Sequence, residues 1–267
     1  MSSPRIDPQS VRLVIDGVEH YAEWHGRSDA YSPVIILLHD GLGCIANWRG
    51  FPDGLWKATG WPVFAYDRWG YGQSARREAF PDGFMEEEAA RLSKILDAAG
   101  IDDCVLVGHS DGGTISLLHA ADRPPRIRGL VTIAAHVTVD PTAAVYLEEL
   151  DALLAAGTPP PWMKRFHGER GPHLLACWTE TWRREFANGW NIVSRLAPIE
   201  APLLVLQGAN DPYKIPAHLD LIAGAVPGAE SMLLDGLGHF PHLEHPETVI
   251  REIVRFIDRA DVRPSRR

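Results

Sequence analysis

Cysteine is scarce in this chain of 267 residues: Cys44, Cys104 and Cys177 are widely spaced, and no C-x-x-C pair occurs. Such an odd, scattered set argues against a disulfide framework or a zinc site and predicts free thiols in a reducing compartment. The sequence also lacks an apolar run near the ~20 residues that a membrane-spanning helix needs. Residues 1–12 contain no apolar segment of the signal-peptide kind. We therefore expect a cytoplasmic protein without a membrane partner.

Positive charge is in deficit as well. Lysine and arginine together number 26, against 35 aspartate and glutamate residues, so the formal net charge is −9. Binding to nucleic acid needs a concentrated cationic surface, and we expect no nucleic-acid partner. Apolar residues make up 45% of the chain and charged residues 23%, a balance that supports a large buried core. The composition leaves self-association into a homo-oligomer open.

Short apolar runs recur along the chain and indicate buried strands. The first two, at residues 11–15 and 18–23, flank Asp16 and Gly17, which predicts a β-hairpin. Further strands are predicted at residues 34–39, 63–66, 104–107, 130–134, 203–206 and 232–234. Segments between them predict helices at residues 85–99, 114–121, 218–225 and 246–257. The alternation predicts an α/β fold with a mostly parallel central sheet and helices on both faces.

One interval between predicted strands is too long for a simple strand–helix–strand crossover. From Ala135 to Leu203 the chain advances 68 residues, whereas such a unit needs only ~30. We therefore predict a helical cap at residues 137–197, with residues 1–136 and 198–267 forming the core domain.

The strongest local motif is Gly-His-Ser-Asp-Gly-Gly at residues 108–113. It follows a predicted strand and precedes a predicted helix, and G-x-S-x-G in that setting is typical of a nucleophile elbow. Side chains at positions 108 and 112 would collide with the adjoining strand and helix, which explains the glycines. The helix that follows directs its N-terminus at the site and favours negative charge there. Ser110 is the candidate nucleophile, although a solvent-facing serine in an ordinary glycine-rich turn would also fit the motif.

A serine hydroxyl is a weak nucleophile that needs a neighbouring base. His239 lies in a glycine-rich loop directly after a predicted strand, where α/β folds build their sites. The acid that would orient its imidazole is Asp211, in the same kind of loop after another predicted strand. The chain order serine, aspartate, histidine is the one expected for this elbow. Asp140 and Asp235 are the competing carboxylates.

The oxyanion of a tetrahedral intermediate needs hydrogen-bond donors. The backbone N–H of Asp111, directly after the candidate nucleophile, is the first. The second is expected from the loop at residues 39–43, where Gly41 is preferred and Leu42 is the alternative. A flexible loop would also explain these glycines, and only the combination with the elbow favours an oxyanion hole.

The chain resembles the α/β-hydrolase superfamily over roughly residues 11–258. The matching segments are HDGLG at 39–43, DRWGYGQS at 67–74, GHSDGG at 108–113, QGANDP at 207–212 and GHFPHLEHPE at 238–247. The resemblance implies the α/β-hydrolase fold, a Ser-Asp-His triad, a cap over the pocket and a structural turn at residues 67–74. Two residues depart from the pattern of many relatives, because Asp40 replaces a glycine and Asp111 replaces an apolar residue. Only the backbone N–H of residue 111 is required, so these carboxylates bear on pocket polarity and substrate preference.

Four cap side chains spaced by four residues indicate one face of a helix: Leu174, Trp178, Trp182 and Phe186. One interpretation is that this face packs the cap onto the core. The other is that its rings line an apolar acyl or aryl pocket. On the second interpretation Trp178 and Trp182 are candidate substrate-binding residues, together with His136 at the end of the preceding strand.

These features predict a serine hydrolase that cleaves a small carboxylic ester through an acyl-enzyme, in class EC 3.1.1. Cleavage of a β-diketone-type C–C bond, lactone opening and amide hydrolysis use the same groups, and a non-hydrolytic ligand-binding relative is a further alternative. The expected partner is a small-molecule substrate, without a cofactor. His239, His242 and His245 recur every three residues, but Pro241 and Pro246 argue against a regular helix there. Because no H-E-x-x-H occurs either, we expect no metal site.

Overall fold

The computed structural model describes residues 8–26, 33–213 and 216–260. Residues 1–7 of the N-terminal segment and residues 261–267 of the predicted core domain lie outside the described residues. The strands are β1 (Gln9–Ile15), β2 (Val18–His25), β3 (Val34–Leu38), β4 (Val63–Tyr66), β5 (Cys104–His109), β6 (Ile127–Ile133), β7 (Leu203–Gly208) and β8 (Glu230–Leu234).

In the described ranges these strands form one sheet in the order β1-β2-β4-β3-β5-β6-β7-β8. The pairs from β4 through β8 are parallel. At the other edge, β1 and β2 form the predicted hairpin around Asp16 and Gly17, and β2 pairs antiparallel with β4. The prediction of a mostly parallel central sheet is confirmed.

The α-helices of the described residues are α1 (Phe51–Thr59), α2 (Phe84–Ala98), α3 (Asp111–Ala121), α4 (Pro141–Ala155), α5 (Pro161–His167), α6 (Gly171–Ala187), α7 (Pro216–Ala225), α8 (Pro241–Glu244) and α9 (Pro246–Arg259). Alternate side chains of a strand point to opposite faces of the sheet, and β3 contributes to two apolar clusters for this reason. Its Ile36 and Leu38 pack in the cluster that contains α2, α3 and α7. Its Ile35 and Leu37 pack in the cluster of α1 and α9. Helices therefore cover both faces, as predicted.

Helices α4, α5 and α6 lie between β6 and β7, within the interval predicted as a helical cap. Leu147 of α4, Met163 of α5 and Leu175 of α6 are buried in the same cluster as α2 and α3. The interval thus contains helices that pack on one helical layer of the sheet. Its standing as a separate cap domain stays a prediction.

Two helices differ from what the sequence pattern indicates. Helix α1 is not among the helices that the sequence predicts; burial of Phe51 and Leu55 against the α9 side of the sheet stabilises it. No regular helix runs through His239, His242 and His245, but a single turn that the sequence does not predict, α8, occupies Pro241–Glu244. Both Pro241 and Pro246 stand at the first position of a helix, where the missing proline N–H removes no hydrogen bond.

The three cysteines are free thiols, as predicted. Cys44 and Cys104 are buried, and Cys177 is half-buried. Among the helices in the described ranges, none is long and apolar enough to cross a membrane.

Replacing Gly208 by alanine tests the close approach of two loops at the end of the sheet. A Cβ atom at residue 208 would lie 2.1 Å from the carbonyl oxygen of Gly238, a backbone atom that cannot rotate away. We expect G208A to lower the free energy of unfolding by roughly 1–3 kcal/mol, as measured by urea denaturation. Gly224, in α7, has no atom within 4 Å of such a Cβ, so G224A is expected to raise stability by about 0.5 kcal/mol. Equal effects of the two substitutions would contradict the close approach.

Candidate active site

Ser110 lies between β5 and α3 with a φ of 53° and a ψ of −120°. A residue other than glycine pays about 1–3 kcal/mol for such a conformation, so the surrounding structure must hold it. The Ser110 N–H donates to the carbonyl of Ile133 at 2.9 Å. The Ser110 carbonyl accepts from the N–H groups of Gly113 at 2.9 Å and Thr114 at 3.1 Å. The predicted elbow is therefore a strained turn that its own backbone hydrogen bonds stabilise.

The two glycines of the motif are required by close backbone contacts. A Cβ at Gly108 would lie 2.3 Å from the carbonyl oxygen of Gly112, in the helix that follows. A Cβ at Gly112 would lie 2.1 Å from the carbonyl oxygen of Leu38, at the end of β3. The collisions expected from the sequence are therefore present, one with the helix and one with the neighbouring strand.

His239 and Asp211 form a short, buried hydrogen bond. The distance between His239 Nδ1 and Asp211 Oδ2 is 2.7 Å. The carboxylate is held from its other side, because it also accepts from Gln207 Nε2 and from the N–H of Tyr213, both at 2.9 Å. A carboxylate fixed at Nδ1 keeps the proton on that nitrogen and leaves Nε2 as a hydrogen-bond acceptor.

The loops that carry these groups share one edge of the sheet. Ser110 follows β5, Asp211 follows β7 and His239 follows β8, and these strands run parallel. Of the two competing carboxylates, Asp235 is exposed and Asp140 lines the cavity described next. The carboxylate in contact with His239 Nδ1 is that of Asp211.

A cavity of about 490 Å³ opens at this edge of the sheet. Ser110 and His239 both line it, so the candidate nucleophile and the candidate base face the same space. Asp211 is bonded to the far side of the imidazole and does not line the cavity. The other residues that the sequence predicted for the site all line it: Gly41, Leu42, Asp111, His136, Trp178 and Trp182.

The loop after β3 lies against the first turn of α3. A Cβ at Gly41 would lie 2.8 Å from Asp111 Oδ2 and 2.6 Å from Trp178 Nε1, so a larger residue there would force these two side chains to shift. The carbonyl of Asp40 accepts from Arg68 Nη2 at 2.7 Å and from His39 Nδ1 at 2.8 Å. These contacts fix the loop with residue 41 close to residue 111.

Asp111 places a carboxyl group on the floor of the cavity. Its side chain is buried, and its Oδ2 accepts from Trp178 Nε1 at 3.1 Å. Its Oδ1 lies 3.6 Å from His136 Nε2. Burial raises the pKa of Asp111 to about 6, although the positive charge of Arg68 and the bond from Trp178 oppose this shift. The same effect, burial, lowers the pKa of His136 to about 3, so this imidazole is neutral at physiological pH.

Two interpretations were open for the face of α6 that carries Trp182: packing onto the core, or lining of the pocket. Trp182 does both. It lines the cavity, and it is also only 5% exposed and packs edge-on against Phe84 of α2 with ring centroids 5.9 Å apart. Trp178 and Phe186 line the cavity as well, whereas Leu174 is buried in the apolar cluster and does not.

Several lining residues were not indicated by the sequence. They are brought to the cavity by the fold and carry no recognisable spacing: Arg49, Tyr146, Arg165, Tyr213 and His218. Tyr213 had one usable signal, since it follows Asp211 by two residues; its ring stands perpendicular to His239 with centroids 4.8 Å apart. His218 accepts from the N–H of Val137 through Nδ1 at 3.1 Å.

The three histidines spaced by three residues point to different neighbours. His239 bonds to Asp211, His242 packs on Trp48 with ring centroids 4.7 Å apart, and exposed His245 lies 2.9 Å from Thr248 Oγ1. Within the part of the chain that the structure describes, no group of three potential ligands could hold a metal ion.

The turn at residues 67–74 is tied together by Asp67. Its carboxylate accepts from the N–H groups of Ile45 and Gln73, each at 2.7 Å, and its carbonyl accepts from Ser74 Oγ at 2.6 Å. None of these four residues lines the cavity. The contacts agree with the structural role that the family resemblance implies.

Asp111→Asn tests the buried carboxyl. Because the folded-state pKa lies above the unfolded value, the folded protein binds more protons, and this group's contribution to stability falls as the pH rises from about 4 through about 6. Removing the ionisation should raise the free energy of unfolding by roughly 1–3 kcal/mol at pH 7.5 and by much less at pH 4.5. Urea denaturation at both pH values measures this, with exposed Asp102→Asn as the control. A gain that is the same at both pH values would contradict the raised pKa.

Comparisons with known proteins identify the family of this chain. The model of the alpha/beta hydrolase family matches residues 35–252. A Variovorax paradoxus protein named "Putative carbamate hydrolase RutD" is 32% identical over 256 residues, which cover 88% of this chain and 92% of that protein. The "sn-1-specific diacylglycerol lipase ABHD11" of Mus musculus is 26% identical over 265 residues, covering 86% and 82%.

A solved structure of Est816, described as an N-acyl homoserine lactone degrading enzyme, matches with a TM-score of 0.67 and 28% identity. The match covers 92% of this chain and all of that chain, 100%. The family model spans most of the sheet and both ends of the insertion between β6 and β7. The chain is therefore a member of the alpha/beta hydrolase family.

Proposed function

We propose that this hydrolase cleaves a small carboxylic ester through an acyl-enzyme formed on Ser110. The observation that carries the proposal is the 2.7 Å pair between His239 and Asp211, whose imidazole faces the same cavity as the strained Ser110. This arrangement supplies a nucleophile, a base and an orienting acid at one edge of the sheet. Those are the three groups that acyl transfer to a serine requires.

In the first step His239 Nε2 accepts the proton of the Ser110 hydroxyl as Oγ attacks the ester carbonyl. Asp211 stabilises the imidazolium that forms and keeps its own negative charge. His239 then donates the proton to the leaving alcohol, which leaves the acyl group on Ser110. A water molecule, deprotonated by the same imidazole, attacks this acyl-enzyme and releases the acid.

The oxyanion of each tetrahedral intermediate is bound by the backbone N–H groups of Asp111 and Gly41. Asp111 begins α3, so its amide belongs to the positive end of that helix. The position of Gly41 beside residue 111 supports Gly41 as the second donor, and Leu42 is the alternative. Preorganised donors of this kind are usually the largest electrostatic contribution to acyl transfer.

The substrate is expected to be small, because about 490 Å³ is near the lower part of the range for ligand cavities. Trp178 and Trp182 offer apolar surface to the acyl or aryl part, and neutral His136 adds a polar group between them and the floor. A lactone is the second candidate, since it is a cyclic ester and the Est816 relative is described as degrading one.

Ser110→Ala tests the nucleophile. Wild-type protein should be labelled by a fluorophosphonate probe and should hydrolyse short aryl esters, whereas S110A should be unlabelled. We expect its kcat to fall by roughly four to six orders of magnitude, with residual turnover from the oxyanion hole. Ser116→Ala, in α3, is the matched control, because Ser116 Oγ donates to the Gly112 carbonyl and does not line the cavity.

The outcomes separate the alternatives. Failure of both labelling and turnover in the wild type would favour a non-hydrolytic ligand-binding protein. Labelling without ester or lactone turnover would instead favour amide or C–C bond cleavage by the same groups.

Trp182→Ala tests the pocket. Enlarging the cavity beside His136 should shift the preferred acyl chain to longer esters, as measured by kcat/KM over a series of 4-nitrophenyl esters. Leu174→Ala on the same helix face is the control, because Leu174 is equally buried and does not line the cavity. Both changes should cost roughly 2–5 kcal/mol of stability, and only W182A should change the chain-length preference. A uniform loss over all esters in W182A would contradict a role in the pocket.

A further inference from the structure

Two arginines on the cavity lining make no hydrogen bond or ion pair with any other residue that the structure describes. In residues 8–26, 33–213 and 216–260, every arginine side chain except Arg49 and Arg165 makes a hydrogen bond with another protein group. The Arg165 guanidinium lies over the ring of its neighbour Phe166, 5.6 Å from the centroid. Both residues are exposed, and both line the cavity. The chain has nine more acidic than basic residues. Two guanidinium groups that line one cavity without pairing with an acidic side chain of the described residues are therefore unexpected.

The fold holds the segments of these two arginines together. Arg165 lies in α5, two residues before His167, whose Nε2 donates to the carbonyl of Leu42 at 2.8 Å. Arg49 follows the short 3-10 helix Ile45–Trp48, which begins three residues after Leu42. His167 Nδ1 accepts from the N–H of Gly72 at 3.0 Å. The proton of a neutral His167 therefore lies on Nε2, which makes Nε2 the donor to the Leu42 carbonyl. The His167 contact therefore places α5 beside the loop that carries Arg49.

Charge is separated between the floor and the rim of the cavity. On the floor, the cavity is lined by the carboxyl groups of Asp111, which is 1% exposed, and Asp40, which is 14% exposed; half-buried Asp140 lines the cavity as well. At the rim stand the exposed cations Arg49 and Arg165. An anionic group on a substrate would be repelled by the floor and attracted by the rim.

We propose that Arg49 and Arg165 bind a carboxylate group of the substrate, at the end remote from the bond that is cleaved. This inference deepens the proposed function and rests on it, because it names the class of ester or lactone that the same cavity takes. Guanidinium groups match carboxylates in charge and in their paired hydrogen-bonding geometry. The acidic floor favours a singly charged carboxylate over a doubly charged phosphate.

The test compares two substrates that differ in this charge and in one methyl group. One is the 4-nitrophenyl monoester of adipic acid, and the other is the same compound with its free acid capped as a methyl ester. The readout is the ratio of kcat/KM for the acid to kcat/KM for the capped compound. The variants are R49Q, R165Q and the double variant. Lys164→Gln is the matched control, because Lys164 precedes Arg165 in α5, pairs with Glu169 and does not line the cavity.

The wild type should prefer the acid by at least about fivefold, a modest factor because both arginines are exposed. Each single substitution should lower the ratio, and the double variant should bring it close to one. The change should appear mainly in KM, since the contact is present in both the ground state and the transition state. K164Q should keep the wild-type ratio. A wild-type ratio near one, or an equal fall in K164Q, would overturn the proposal.

A binding measurement separates this inference from the proposed chemistry. Titration calorimetry with Ser110→Ala measures the affinity for both compounds without turnover. If the acid binds more tightly, and R49Q/R165Q in the same background removes the difference, the carboxylate site stands even where no ester is cleaved. If the wild type cleaves both compounds equally and S110A binds them equally, the carboxylate site is wrong while ester hydrolysis stands.

Discussion

The backbone of Ser110 is the constraint on which the rest of the site depends. Its positive φ is tolerated because β6 accepts its N–H at Ile133 and because Gly112 lets the first turn of α3 touch the end of β3. The same contact fixes where the chain goes next, since the loop that follows β3 must then pass beside residue 111. The strained turn at Ser110 and the candidate oxyanion loop after β3 are therefore packed against each other.

The loops that carry Asp211 and His239 are joined to each other and to the turn at Ser110 by contacts to backbone atoms. Gly208 lets the end of β7 meet the carbonyl of Gly238, and the N–H of Asn210 donates to the carbonyl of Leu237 at 2.8 Å. His109 Nε2 then donates to the carbonyl of His239 at 2.8 Å, which links the elbow to the histidine loop. The burial of His109 keeps its pKa well below the usual value, so it remains a neutral donor. The pair between Asp211 and His239 is thus placed by neighbours that hold both loops.

How much of this the sequence could predict depends on how local each signal is. The apolar runs predicted the strands because a buried strand needs only a few adjacent residues to be recognised. The turns that carry Ser110, Asp211 and His239 were recognisable because each glycine-rich segment directly follows such a strand. The sequence did not indicate that Arg49 and Arg165 line the same cavity. Their segments are brought together by the contact between His167 and Leu42, which are 125 residues apart. Helix α1 was missed for a related reason, since burial rather than propensity stabilises it.

The polarity of the cavity floor follows from one buried cation. Arg68 is completely buried, and it stacks on the ring of Tyr71 at 4.3 Å. Its Nη2 donates to the carbonyl of Asp40, and its charge opposes the effect of burial on the pKa of Asp111. In the proposed mechanism, a carboxyl group next to the oxyanion is costly, and the charge of a nearby cation lowers that cost. Because Arg68 also holds the loop that carries Gly41, the acidic floor and the geometry of the oxyanion loop depend on the same side chain.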